Sequence, residues 1–292
     1  MSLAGVIGNQ FFNRQYSVSF GPQAPFGLPI SLFSYDSLRV RFEIDKLGVG
    51  TSSKSKIEIF NLNQVSRQNI KKGWAVVLKA GYKSGIISIP PVLFQGVVGP
   101  GGAFAKREGA DIVTTMECGD GEQQMMMGTI DRSYPTGTPM ALVITDVIAS
   151  SGLIPGIITG VPTIIFSKGY TAHGQIRKVM DELTKRAGLA WNVNNGAVNV
   201  IPIKGFDGRV AEVISSETGM IGVPSVDNGV LKFSNLLNPK LVPGSLILMQ
   251  SSNISINGIH KINRSKFVGD THDSKWQVEC ECIQFGTAGL LG

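Results

Sequence analysis

The chain has 292 residues, which is long enough for two or three domains, and its 42% hydrophobic content can fill a sizeable core. Charged residues make up only 16%, below the roughly 25% of an ordinary soluble domain, so much of the surface is expected to contact other proteins. The net charge of +6 does not indicate a nucleic-acid site, because the basic residues form scattered pairs without interleaved aromatic residues.

The first part of the chain predicts β-structure. In residues 38–45 (LRVRFEID) apolar and charged side chains alternate, which gives a strand one buried and one exposed face. Similar runs bounded by Gly and Pro predict further strands at residues 16–20, 56–60, 75–82, 92–98 and 111–118. A short polar helix over residues 63–72, capped by Asn61 or Asn63, is expected between two of them.

The middle of the chain predicts two amphipathic helices. Thr138 and Pro139 are typical of a helix start, with a capping hydroxyl and a proline at the first position, and apolar residues then follow at helical spacing up to Gly152. A second helix is expected from Thr171, ended by Gly188.

A β-hairpin is predicted after the helices. Residues 194–196 (NNG) lie between the apolar runs 189–193 and 197–203, and Asn and Gly accept the positive φ of a tight turn. The middle therefore reads as a small α+β insert. The last part returns to strands, at residues 230–233, 245–249, 259–263 and 276–282.

The two β modules share a spacing pattern. Gly73, Gly96 and Glu117 in the first correspond to Gly244, Gly258 and Glu279 in the last, and Gly96 is as far from Glu117 as Gly258 is from Glu279. We interpret this as an internal duplication, with chance similarity as the alternative; different strand orders in the two modules would exclude it. Three such chains placed head to tail would close a ring with six near-equivalent positions.

Catalytic and metal chemistry find little support. The histidines His173, His260 and His272 form no i, i+4 pair, and His272 with Cys280 and Cys282 lacks the spacing and the fourth ligand of a zinc site. The two cysteines alternate in a strand and are expected to face the core. We predict no catalytic, cofactor-binding or metal-binding residue and no cofactor.

Two other motifs could suggest a function, and each also has a structural interpretation. Residues 99–102 (GPGG), with Lys106 and Arg107 downstream, lack the Gly-Lys-Ser/Thr ending of a phosphate loop and are predicted to form a hairpin tip. Residues 125–127 (MMM) fit either the core at a domain junction or an adaptable subunit interface.

The sequence predicts synthesis in the cytoplasm, because it lacks the features typical of secreted and membrane proteins. Three cysteines are too few for a disulfide framework, which favours synthesis in a reducing cytoplasm. No basic segment precedes an unbroken apolar stretch at the amino terminus, so no signal peptide is expected. Residues 153–166 are apolar but interrupted by Pro and Gly, so they predict a loop or a buried irregular strand and no membrane insertion.

Several segments resemble the baseplate hub proteins of contractile-tailed phages. The first barrel of those hubs is resembled by residues 56–62 (KIEIFNL), 80–82 (AGY), 93–96 (LFQG) and 117–121 (ECGDG). The closing barrel, shared with the amino-terminal part of type VI secretion spike proteins, is resembled by residues 234–239 (SNLLNP), 242–246 (VPGSL) and 269–271 (GDT). The order of the segments carries the resemblance over most of the chain. The hubs often have a histidine before the last turn, whereas here Phe267 and Val268 precede it, so no role is transferred there.

The resemblance implies a mainly β fold with an α+β insert. Two tail-tube-like β-barrel domains, residues 1–130 and 206–292, would flank an α+β middle domain of residues 131–205 with two helices and a hairpin. It also implies a non-enzymatic hub subunit, whose homotrimer forms a pseudo-sixfold ring that connects the tail tube to the central spike and surrounds the delivery channel.

The resemblance further implies partners and a location. The partners are other copies of the chain, the tail tube protein and the central spike protein, with the tape-measure protein and other baseplate subunits as candidates and DNA only in transit through the lumen. The expected location is the tail baseplate of the virion. A tail-tube or tail-terminator protein is the alternative, and a tail-associated cell-wall hydrolase is a weaker one because no carboxylate pair or nucleophile with a base can be assembled.

Overall fold

The computed structural model of the chain describes residues 13–23, 32–50, 53–83 and 89–286. Residues 1–12 lie outside the described residues, and so does the amino-terminal segment in which no signal peptide is expected. The amino-terminal elements are β1 (Arg14–Gly21), β2 (Phe33–Tyr35), β3 (Val40–Leu47), β4 (Lys54–Phe60), α1 (Gln64–Asn69), β5 (Ala75–Tyr82), β6 (Val92–Glu108) and β7 (Asp111–Gly119). The middle elements are α2 (Glu122–Met127), β8 (Thr129–Tyr134), β9 (Thr138–Pro139), α3 (Met140–Ser150), β10 (Ile154–Ile158), β11 (Ile165–Phe166), β12 (Tyr170–Gln175), α4 (Ile176–Arg186), β13 (Leu189–Asn194) and β14 (Ala197–Pro202). The carboxy-terminal elements are β15 (Glu212–Ile214), β16 (Met220–Asp227), β17 (Val230–Leu236), β18 (Leu246–Met249), β19 (Gly258–Asp270) and β20 (Trp276–Gln284), with 3-10 turns at Ser216–Thr218 and Ile254–Ile256.

One sheet of thirteen strands contains strands from both ends of the chain. Its main path runs β16-β17-β20-β19-β3-β4-β7-β6-β5-β1-β2, and β18 pairs with β19 and carries β15 beside it. Strand β19 joins the two β modules, since its first part pairs with β18 and its second part with β3. The mainly β class is therefore confirmed, whereas the layout as two separate barrels stays a prediction.

Alternation along the strands produces the core, as predicted. In β3 the side chains of Val40, Phe42 and Ile44 are buried, while Arg41 and Glu43 point away from the core. The strand begins two residues later than the predicted segment. Strands β17 and β20 alternate in the same way, and the sheet encloses a hydrophobic core that includes side chains from both β modules.

The middle module has a core of its own, built by α3 and α4 against three small sheets. The apolar face predicted for α3 is buried as expected. The predicted start is wrong, however, because Pro139 is the capping residue and the Thr138 hydroxyl donates to the Pro135 carbonyl at 2.8 Å. Thr138 and Pro139 instead pair with Ile165 and Phe166 as short strands.

The second helix also starts later than predicted. Residues 171–175 belong to β12, which pairs with β8 along its whole length, and α4 begins only at Ile176. Gly174, with φ of +105°, lies in a conformation that a helix does not use. The helix ends as expected before Gly188, whose φ is +66°.

The predicted hairpin is confirmed. Strands β13 and β14 pair in register, and the two turn residues Asn195 and Gly196 have φ of +55° and +76°, as a two-residue turn of this type requires. The short helix α1 is shorter than predicted, and its cap is Asn63, whose side chain accepts the Ser66 N–H at 2.8 Å.

One predicted hairpin tip lies in a strand, and the segment predicted as a loop or a buried irregular strand contains both strand and loop, with residues 159–164 in no helix or strand. Residues 99–102 lie within the long strand β6, and the hairpin tip falls instead between Glu108 and Asp111. Part of the segment 153–166 forms β10, which pairs parallel with β14, but Ile154 and Ile165 are about half exposed, so the segment is not a buried strand.

Candidate assembly surface

Each β module contains five strands in the same arrangement. The first module runs β3-β4-β7-β6-β5 and the last runs β16-β17-β20-β19-β18, and every neighbouring pair is antiparallel. If the five strands of each module are numbered 1 to 5 along the chain, their order across the sheet is 1-2-5-4-3 in both modules. The topology therefore supports the predicted duplication.

Hydrogen bonds fix which residues correspond. The Gly73 N–H donates to the Val98 carbonyl, and the Gly244 N–H donates to the Ile262 carbonyl, each at 2.8 Å. Both glycines have positive φ, +79° and +95°. The predicted equivalence of Gly73 with Gly244 is therefore supported, and the fourth strands align through Val98 and Ile262.

The rest of the predicted alignment is wrong by two residues. Val98 lies opposite Cys118 and Ile262 opposite Cys282, so the counterpart of Cys118 is Cys282. The predicted matches of Glu117 with Glu279 and of Gly96 with Gly258 are therefore each two positions out of register. Equal spacing could not reveal this, because the shift is common to both matched points.

A β-bulge interrupts the fourth strand at the same point in both modules. Pairing of β6 with β7 stops at Val98 and resumes at Ala103, and pairing of β19 with β20 stops at Ile262 and resumes at Arg264. A bulge bends the strand, so the parts before and after it can have different neighbours. Before the bulge the neighbours are β5 and β18; after it, β19 pairs with β3.

The junction between β19 and β3 is lined by ion pairs. Its backbone register runs from Arg264 opposite Leu47 to Asp270 opposite Arg41. The charged contacts across it are Arg264 with Asp45 (2.7 and 2.9 Å), Lys266 with Glu43 (2.7 Å) and Arg39 with Asp270 (2.7 and 3.0 Å). Two of the three are bidentate arginine–carboxylate pairs, which fix geometry as well as adding energy.

Asp270 is the most buried of these charges. Burial alone would raise the pKa of Asp270, but hydrogen bonds from the Arg39 guanidinium and the His272 N–H outweigh it and lower the pKa. The next residue, Thr271, donates its N–H to the Val40 carbonyl and accepts the Val40 N–H on its hydroxyl, both at 3.0 Å. The end of β19 is thus closed onto the start of β3.

Gly269 is required where these strands cross the core. A Cβ at this position would lie 2.3 Å from Cζ of Phe42, whose ring packs edge-to-face on Trp276 at 5.3 Å between centroids. The Gly-Asp-Thr segment that carried part of the sequence resemblance therefore has a packing role.

We expect Gly269→Ala to lower the free energy of unfolding by about 1 to 3 kcal/mol, because Phe42 must be displaced from a filled core. Gly101→Ala is the matched control, since nothing lies within 4 Å of a Cβ there, and it should change stability by less than about 0.5 kcal/mol. Urea denaturation of both variants measures the difference; equal stabilities would contradict the packing role.

Among the strand edges that lack a partner in the described residues, two belong to the repeated five-strand modules and correspond to paired edges elsewhere in the chain. One is the edge of β6 after the bulge, residues 103–108, and the other is the outer edge of β16. Large apolar side chains stand exposed along both: Phe104 on β6, and Ile221, Val223 and Val226 on β16, between 40% and 81% exposed. Such edges template pairing with another chain, and native proteins cover or blunt them.

The middle module is anchored to the sheet by two buried charges. The Asp120 carboxylate, at the end of β7, accepts the N–H groups of Asn195 and Gly196 at the hairpin turn. The Lys46 ammonium, from β3, donates to the side-chain oxygens of Asn194 and Asn195 at 2.7 and 3.4 Å. Burial raises the pKa of Asp120 and lowers the pKa of Lys46. Sequence reasoning missed this contact because both residues look like ordinary surface charges.

The candidate chemical residues are not brought together. His173 lies in the middle module, 3.3 Å from Asp131 and mostly exposed, His260 is buried with its Nε2 at 2.9 Å from the Ile256 carbonyl, and His272 contacts the neighbouring Thr271 hydroxyl. In the part of the chain that the structure describes, no group of three or more His, Cys, Asp or Glu is placed to hold a metal ion. The absence of catalytic and metal sites stays a prediction.

Cys280 and Cys282 face the core, as predicted, and Cys118 is buried as well. Burial raises the pKa of Cys118 and Cys280 to about 12 and that of Cys282 well above its usual value. These thiols are therefore protonated at neutral pH and are poor nucleophiles and metal ligands.

The methionine run divides between the two interpretations. Met125 is buried in the core of the middle module, whereas Met126 and Met127 are 42% and 75% exposed. Within the described ranges, no helix has the length and apolar character needed to cross a membrane.

The fold is found in tail proteins, although no protein-family profile and no curated protein matches the sequence. The 43 kDa tail protein of prophage MuSo2 from Shewanella oneidensis superimposes with a TM-score of 0.63 at 9% identity, over 93% of this chain and 98% of that one. The tail protein from Neisseria meningitidis MC58 gives 0.61 at 9% identity, over 94% and 97%.

A third neighbour comes from a secretion system. An Escherichia coli component of the type VI secretion system, described as structurally similar to T4 bacteriophage tail proteins, gives a TM-score of 0.55 at 9% identity, over 86% of this chain and 74% of that one. The resemblance to tail proteins predicted from the sequence is therefore confirmed at the level of the fold.

Proposed function

We propose that this chain is a non-enzymatic hub subunit of a phage tail baseplate. The observation that carries the proposal is the repeated five-strand module, present twice in one chain and joined edge to edge through β19 and β3, in a chain with the fold of phage tail proteins. The proposal keeps the domain limits expected from the sequence, near residues 130 and 205, with tube-like β modules on either side of the insert.

Three copies would form a closed ring. Two similar modules per chain give three chains six similar positions, so the ring can contact a sixfold tail tube on one side and a threefold spike on the other. In the proposal the ring surrounds the delivery channel, and DNA meets it only in transit. The tape-measure protein and other baseplate subunits are further candidate partners, and the location is the virion tail.

A tail-tube or tail-terminator protein is the alternative in the same machine. Those proteins usually carry one barrel, so the paired modules favour the hub. The exposed apolar edges of β6 and β16 also favour a subunit that is covered on both sides in its assembly.

Mass measurement tests the proposal directly. Light scattering on the purified chain is expected to give about three times the 31.2 kDa chain mass, and electron microscopy of the same fraction a threefold annulus with six similar lobes. A chain that stays monomeric up to high micromolar concentration, or that forms a closed dimer, would contradict the proposed ring.

A further inference from the structure

The two open edges are the counterparts of the two edges that meet inside the chain. The open part of β6 follows the bulge after Val98, and the part of β19 that pairs with β3 follows the equivalent bulge after Ile262. Strand β16 is the first strand of the last module, as β3 is of the first. The chain therefore contains one completed junction of this kind and both halves of a second.

We propose that residues 103–108 of one copy pair antiparallel with β16 of a second copy, repeating between chains the junction that β19 and β3 make within one. The occupant of each open edge is thus another copy of this chain. The inference rests on the proposed ring and gives it a specific interface.

The register of the proposed pairing follows from the internal junction, once equivalent residues of the two modules are known. Phe267 pairs with β20 at the position where Ala105 pairs with β7, so these two residues are equivalent. Ile44 pairs with β4 at the position where Val226 pairs with β17, so these two are equivalent as well. Phe267 lies opposite Ile44, so Ala105 is placed opposite Val226 of the neighbour. The adjacent pair is then Lys106 opposite Ser225.

Burial supports this register. Val226 lies opposite the buried core residue Leu231 and so turns toward the core face, yet it is 53% exposed. Its counterpart Ile44 is fully buried, because β19 covers it. A strand at the outer edge of β16 would cover Val226 in the same way, and Ala105 also lies on the core face, opposite buried Thr114.

Charge agrees with the pairing. The open part of β6 carries Lys106 and Arg107, while β16 ends in Asp227. In the proposed register Lys106 and Asp227 are diagonal neighbours on one face, within reach of a long side chain.

The interface is heterologous, because the edge of β6 differs from the edge of β16. Each copy therefore offers one edge of each kind, and repetition of the contact closes a ring or extends a filament but never stops at a symmetric dimer.

Disulfide trapping between two differently tagged, co-expressed chains tests the interface. One chain carries Ala105→Cys and the other Val226→Cys, and a second set carries Lys106→Cys and Ser225→Cys, so that both kinds of antiparallel pair are sampled. The native cysteines are buried and do not compete. Under mild oxidation we expect a disulfide-linked heterodimer from at least one set, in roughly a quarter to a half of the chains, since about half is the limit when two chains mix at random in a threefold ring.

The controls separate this inference from the ring itself. Each single variant expressed alone should give no linked dimer, and Val226→Cys combined with Ile254→Cys, a residue 84% exposed on a 3-10 turn, should give none either. Light scattering is run on every sample. Trimers without linkage in both sets overturn the strand pairing and leave the ring standing; linked dimers from a single variant alone overturn the heterologous geometry; monomers throughout overturn both proposals.

Discussion

Asp120→Ala is expected to lower the free energy of unfolding by about 3 to 5 kcal/mol. The carboxylate accepts the backbone N–H groups of Asn195 and Gly196 at the hairpin turn, and both would lose their acceptor in a site closed to water. The buried Lys46 ammonium would also lose its favourable interaction with the Asp120 charge. The cost is large because the groups left behind are buried and unsatisfied, not because the contact itself is unusually strong.

Chemical denaturation followed by circular dichroism measures this loss. Asp120→Asn is the informative companion, since one amide oxygen can still accept an N–H, and we expect a smaller loss of about 1 to 3 kcal/mol. Asp131→Ala is the matched control, because that side chain is 80% exposed, and it should stay within about 0.5 kcal/mol of the parent. If Asp120→Ala and Asp131→Ala were equally stable, the anchoring of the middle module by Asp120 would be disproved.

Trp276→Ala is expected to cost about 3 to 5 kcal/mol, the range for deleting a large buried aromatic side chain. Trp276 begins β20, is 2% exposed and packs on Phe42 of β3, so its loss opens a cavity where the two β modules share their core. The Arg14 guanidinium, 5.4 Å from the ring centroid, would lose its aromatic contact as well.

Trp276→Phe isolates the packing contribution. The indole N–H of Trp276 has no hydrogen-bond partner among the described residues, so replacing the ring by a smaller aromatic one removes no hydrogen bond. We expect a loss below about 2 kcal/mol, from volume alone. Thermal and urea unfolding of both variants gives the comparison; a phenylalanine variant as unstable as the alanine variant would contradict the packing role, because a phenyl ring in this site would then contribute nothing.

The sequence predicts local structure where one pattern is unbroken. The strand segment bounded by Gly and Pro located β5 to the residue, and the Asn-Gly turn located the β13–β14 hairpin, because each depends only on neighbouring residues. Strand β16 was missed, since Gly222 and Pro224 break its alternation. Proline is tolerated in an edge strand, and the outer N–H groups of β16 pair with no strand that the structure describes.

Contacts distant in sequence were not predictable in the same way. Nothing local to β3 or β19 indicates that they pair, and the resemblance to hub proteins predicts two barrels without saying how they join. The buried pair of Lys46 and Asp120 was likewise invisible, because a charge run predicts a solvated face unless the partner is known. The duplication was detectable from glycine spacing, but only the hydrogen-bond register could correct its alignment.

The placement of the α+β insert between the two repeats, rather than inside either one, has a consequence for how neighbours distinguish the two faces of an assembly. Any closed arrangement of this polypeptide displays twice as many sheet units as inserts. A protein that docks on the sheet units contacts twice as many similar sites as there are subunits. A protein that docks on the inserts contacts one site per subunit. In the proposed ring, one kind of subunit would therefore join two partners whose rotational symmetries differ by a factor of two.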